Sequence, residues 1–98
     1  KLYDCFDEIK KIDLFIKKSN IDNSYLIFYY DLLSMLFFYT NKKENLIEIY
    51  NKALNIFEKS MNISSFMCYL RLSRYLILMN EIEKSKILIN MIGFVKIA

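Results

Sequence analysis

The 98 residues predict an all-α fold of about five antiparallel helices, stacked as helical hairpins in an α-solenoid-like segment. Three observations lead there. No stretch sustains the two-residue alternation of a half-buried strand, and the runs bounded by turn signals are too long to be strands. Apolar residues instead recur every three or four positions, the period of a helix with one buried face. Finally, YDLLSMLFFYTN at 30–41 returns as YLRLSRYLILMN at 69–80, a separation of 39 residues (Tyr30 to Tyr69). Tyr30/Tyr69, Leu33/Leu72, Ser34/Ser73 and Asn41/Asn80 keep their identities in both copies.

The first helix is placed at 2–18, where Leu2, Cys5, Phe6, Ile9, Ile12 and Phe15/Ile16 share one face. Its acids come early and its lysines late, as the helix dipole favours, with Asp7–Lys11 and Asp13–Lys17 at the spacing of ion pairs. The polar run SNIDNS ends it and offers Asp22, Asn23 or Ser24 as the cap of a second helix at 24–40. That helix is apolar nearly all round apart from Asp31 and Ser34, so it is expected to be enclosed. After TNKKEN, a third helix at 43–59 sets Leu46, Ile49, Tyr50, Ala53 and Phe57 against Glu44, Glu48, Lys52 and Lys59. It reads as an outer, half-solvated helix. Asn62, Ser64 or Ser65 opens a fourth at 64–79, and a fifth follows at 81–95. Asn41 and Asn80 fall where a tight turn between helices needs a left-handed residue, a place that Asn tolerates.

The outer helices carry a matching pattern in Cys5–Ile9–Ile12, Leu46–Tyr50–Ala53 and Ser85–Ile89–Ile92. Together with the paired inner motif, it resembles the tetratricopeptide and pentatricopeptide families of helical-hairpin repeats. The resemblance spans nearly the whole chain as roughly two and a half hairpins. In those families an aromatic opens the first helix, a Leu-small pair follows one turn on, and small then bulky positions mark the second. The turn Gly and closing Pro of the families are missing, Asn41 and Asn80 standing at the turn. What the resemblance implies is a scaffold that contacts other chains, or, on the pentatricopeptide side, single-stranded RNA. The base-reading places of that family hold Leu32 and Arg71, so its code is not present.

Composition narrows the chemistry. The chain is 55% hydrophobic and 26% charged with a formal charge of +3, which fits one interior-rich domain over 1–98 and is too mild to name nucleic acid as a partner. Abundant Ile, Asn, Lys, Tyr and Phe with no Pro, Trp or His point to AT-rich codons, so single lysines carry little meaning. Without His the commonest acid–base group and zinc ligand is missing, and Cys5 and Cys68 read as buried free thiols. One Gly rules out a glycine-rich phosphate loop, and Asp4, Asp7, Glu8 and Asp13 read as a solvated helix start. No enzyme activity, cofactor, metal or small-molecule substrate is therefore expected. The run YLIFYYDLLSMLFFY is shorter than a membrane span and has Asp31 near its middle. A chain starting at Lys1 with no signal peptide in view reads as a stretch of a longer intracellular polypeptide, cytoplasmic or organellar.

Two contact sites remain. Arg71 and Arg74, one turn apart with no acid at i±4 in their own helix, are candidates for a phosphate or a partner carboxylate. KILINMIGFV at 86–95 is apolar around most of its circumference, which makes Ile87, Met91, Phe94 and Val95 a candidate docking surface for other chains or flanking repeats. The expected function is a non-catalytic helical-repeat scaffold within a larger assembly. The alternative is an RNA-contacting repeat subunit of an organellar ribonucleoprotein such as a mitochondrial ribosome.

Overall fold

A computed structural model describes residues 7, 8, 10–12, 14, 15 and 23–93. Five helices with defined bounds follow one another: α1 (Asn23–Tyr39), α2 (Lys43–Asn55), α3 (Phe57–Ser60), α4 (Ile63–Leu78) and α5 (Ile82–Gly93). There is no strand among the described residues, so the fold is all-α. Asp7, Glu8, Lys10, Lys11, Ile12, Leu14 and Phe15 are helical and exposed, within the span expected at 2–18. Lys11 pairs there with Glu8 at 3.4 Å and not with Asp7. Cys5 and the pair Asp13–Lys17 lie outside the described residues.

The helices pack in the order α2, α1, α4, α5: α1 lies against α2 and α4, and α4 lies between α1 and α5. Each hairpin is closed by the same chemistry. Asn41 and Asn80 take φ of 58° and 63°, the left-handed conformation that lets a chain leave one helix and enter the next. The amide of Lys42 donates to the Phe37 carbonyl at 2.8 Å and that of Asn41 to Phe38 at 3.1 Å. Glu81 donates to Leu76 at 2.8 Å and Asn80 to Ile77 at 3.0 Å. Both are Schellman closures, which satisfy carbonyls that a helix end would otherwise leave open.

Each small residue in the paired motif is buried and bonded within its own helix. Ser34 Oγ donates to the Tyr30 carbonyl at 2.7 Å, and Ser73 Oγ to the Tyr69 carbonyl at 3.0 Å. Ser85 Oγ on α5 then donates to the Ser73 carbonyl at 3.0 Å, so α4 and α5 approach closely at this point. A larger side chain at 73 or 85 would hold the two backbones apart.

The main core gathers around α4, where Tyr69, Leu72 and Leu76 are sealed among Ile27 of α1, Leu46, Tyr50 and Ala53 of α2, Phe57 of α3 and Leu88 and Ile92 of α5. A smaller cluster of Tyr29, Leu33, Leu36 and Ile49 binds α1 to α2. Leu46, Ile49, Tyr50 and Ala53 form the buried face expected for an outer helix.

Three expectations need correction. The helix expected at 43–59 is interrupted at Ile56, whose φ of −105° and ψ of 7° end α2 before α3 begins. The interruption turns Phe57 edge-on to Tyr69, 5.0 Å between ring centres, and brings the Ser60 hydroxyl to the Tyr69 hydroxyl, whose other contact is the Ala53 carbonyl at 3.4 Å. Burying that phenol required partners, and an unbroken helix end would not supply them. Second, α1 is not enclosed: it leaves a whole apolar stripe in solvent. Third, Ile89 is exposed and Leu88 takes the buried place in α5 between Ser85 and Ile92, because three residues from Ser85 and four from Ile92 keep one face of the helix as well as four and three do.

The fourth helix is capped as its sequence suggests. Asn62 Oδ1 accepts from the Ser65 amide at 2.9 Å while Ser65 Oγ accepts from the Asn62 amide at 2.9 Å, a reciprocal capping box.

Candidate partner-binding face

The open stripe on α1 is made of Tyr25, Phe28, Leu32, Met35 and Tyr39, all exposed. Their alternating three- and four-residue spacing puts them in one line along the helix, as in the seam that a helix offers to another helix. Regular helices hold the stripe from behind. Tyr29, Leu33 and Leu36 pin α1 to α2, and Ile27 and Ser34 are buried on its remaining sides. Nothing about this line depends on a loop.

On α4 the positions 39 residues further on that face solvent are Met67, Arg71, Arg74 and Leu78. Arg71 does not stand free. Its Nε donates to Asp31 Oδ1 at 2.9 Å and its Nη2 to Asp31 Oδ2 at 2.7 Å, a bidentate pair between α4 and α1. Hydrogen bonding to Asp31 is also the main reason the guanidinium holds its proton more tightly than usual. The helix of Arg71 holds no acid at i±4, and its partner comes instead from a helix 40 residues away. Arg71 therefore joins two helices instead of waiting for a ligand. With Asp31 four residues before Met35, the pair sits where the α1 stripe meets the exposed positions of α4.

Arg74 is exposed and takes part in no ion pair among the described residues. It supplies a positive charge at the edge of the apolar stripe. The face is thus aromatic and aliphatic along α1, bridged by a neutralised ion pair, and cationic at Arg74 on α4. Such a surface suits the apolar side of an amphipathic helix with a carboxylate at its margin.

Other candidates are distributed differently. Ile87 is exposed and Met91 half-buried against the core, so α5 presents only part of the docking surface expected of it. Phe94 and Val95 lie outside the described residues. Cys68 is buried, 3.8 Å from Arg71 Nη2, and burial pushes its thiol pKa up, which leaves the thiolate a poor prospect. No group of three or more Cys, Asp or Glu side chains among the described residues is placed to hold a metal ion. No helix among them is long and apolar enough to cross a membrane.

The α1 stripe was legible in principle. Tyr25, Phe28, Leu32, Met35 and Tyr39 are evenly spaced in the sequence, but their helix has apolar residues on every side and so gives no contrast to mark an outward face.

Fold and face together define an all-helical protein that presents an apolar stripe on α1 beside Arg74, an arginine in no ion pair among the described residues. No family model, curated protein or solved structure matches the chain.

Proposed function

We propose that this chain is a non-catalytic scaffold or interaction module of repeated helical hairpins, working within a larger protein or multi-subunit assembly. The observation that carries the reading is the exposed α1 stripe, five large apolar side chains in register on a helix fixed from behind. A stripe of this kind costs solubility and is retained where a partner covers it. The matching Schellman closures at Asn41 and Asn80, with the matching serine bonds at Ser34 and Ser73, support taking the two hairpins as copies of one unit. The tetratricopeptide-like resemblance agrees with that arrangement. The RNA reading loses its main support, because Arg71 is already committed to Asp31.

The test is capture of native partners by the wild-type chain, by Phe28→Asp/Met35→Asp and by Arg74→Ala, each with and without nuclease. Both α1 positions are exposed, so the double variant is expected to keep its helical circular dichroism. A protein partner that survives nuclease, is lost with the double variant and is weakened by Arg74→Ala is the expected result. Release of the bound material by nuclease would overturn the proposal in favour of RNA.

A further inference from the structure

The chain carries a second apolar line with the spacing of the α1 stripe. Leu2, Cys5, Ile9, Ile12 and Ile16 alternate steps of three and four residues in the same order as Tyr25, Phe28, Leu32, Met35 and Tyr39. Ile12 is helical and 42% exposed, with Phe15 beside it at 64%, whereas Leu2, Cys5, Ile9 and Ile16 lie outside the described residues. Each line covers the same 14 residue steps, about 21 Å along a helix. Equal length and matching spacing are what a seam between two helices requires.

The connection sets the direction. Six residues, 17–22, separate Ile16 from the start of α1 at Asn23, and a link that short places neighbouring helices antiparallel. Ile16 then falls opposite Tyr25, Ile12 opposite Phe28, Ile9 opposite Leu32 and Cys5 opposite Met35. Charge agrees with this register. In an antiparallel pair, Glu8 flanks the seam on the side that Asp31 and Phe38 take on α1, and at a height between them. That is the side of α4, where Arg71 bonds Asp31 and Tyr75 stacks on Phe38, and Arg74 stands between those two contacts in no ion pair among the described residues. Glu8 has only an exposed 3.4 Å pairing with Lys11 to exchange for it.

We propose that the segment 2–18 folds back as an antiparallel helix over the α1 stripe, with Glu8 at Arg74. The proposal rests on taking the stripe as a docking face and gives it an occupant within the chain, which an outside partner has to displace. The structure holds the open form, with Ile12 and the stripe both exposed.

The test uses the cysteine already in the second line. Met35→Cys sets a thiol opposite Cys5, within the limit of about 7 Å between Cα atoms that a disulfide needs. The 98-residue chain is oxidised with glutathione disulfide at low protein concentration as Met35→Cys, as Phe28→Cys and as Asn51→Cys on the exposed side of α2, and the bonds are mapped by mass spectrometry. All three positions are exposed, so the helical circular dichroism should be kept. Met35→Cys should close a bond to Cys5 within one chain at least about ten times faster than either of the others. Adding Arg74→Glu should slow that closure about twofold to fivefold, and adding Glu8→Arg as well should bring it back. Closure no faster at 35 than at 51 overturns the proposal. So does closure that comes first at 28, which is another register, or a bond formed between chains, which would make a second copy the occupant. A charge exchange that restores nothing overturns the register with Glu8 at Arg74. The bond is read with no partner present, so its absence leaves partner capture through Phe28 and Met35 standing, and failure of that capture leaves the bond standing.

Discussion

Single side chains show where this fold commits its polar groups. The Tyr69 hydroxyl is sealed in the core, satisfied by Ser60 and the Ala53 carbonyl, and burial pushes its pKa above the usual 10.0. Tyr50 and Tyr75 are shifted up in the same way, burial again being the first cause. The sign follows from linkage. A phenol with a raised pKa in the folded state keeps its proton where the unfolded chain has lost it, so stability is complete below the ordinary tyrosine range and declines as pH rises through the folded values. Urea unfolding followed between about pH 8 and pH 11 should show a falling midpoint. Tyr69→Phe should start about 1 kcal/mol less stable and lose less on the alkaline side. An unchanged slope in that variant would mean that Tyr69 does not drive the alkaline loss. Asp31 belongs to the same scale: its role was hidden in the sequence because Arg71 is 40 positions distant and no local pattern joins them.

Whole helices were more legible than single contacts, for a physical reason. Amphipathic spacing reports burial against whatever lies opposite, so α2 could be phased from Leu46, Ile49, Tyr50 and Ala53 alone. Turn chemistry is equally local, and Asn41 and Asn80 took the left-handed conformation expected of them. The break at Ile56 and the exposed side of α1 depend on what lies opposite in space, Tyr69 in one case and solvent in the other. Serine at 34 and 73 is a prediction of the same local kind. Both are almost fully buried, and Ser73 lies where the α5 hydroxyl of Ser85 reaches the α4 backbone. Leucine at either position should overpack its helix and lower stability by about 1–3 kcal/mol in denaturant unfolding. If both substitutions leave the midpoint where it was, the two positions are not equivalent close approaches and the hairpins are not copies of one unit.

At the scale of the molecule, α2 packs on α1, α3 and α4 and its Lys43 pairs with Glu81 ahead of α5 at 3.5 Å, whereas α5 lies mainly against α4. α5 is thus held from fewer sides than α4, which lies between it and α1. The consequence can be read in time. Amide hydrogens of α5, which lies mainly against α4, should exchange with deuterium sooner than those of α4, through an opening that leaves the rest intact. Ser85→Ala removes the hydroxyl that fastens α5 to the Ser73 carbonyl, and it should hasten exchange throughout α5 while α1 keeps its rate. Equal acceleration in α1 would show that the four helices open as one body. An element held mainly by one neighbour opens by itself, so exchange in α5 should report the α4–α5 contact separately from the rest of the fold.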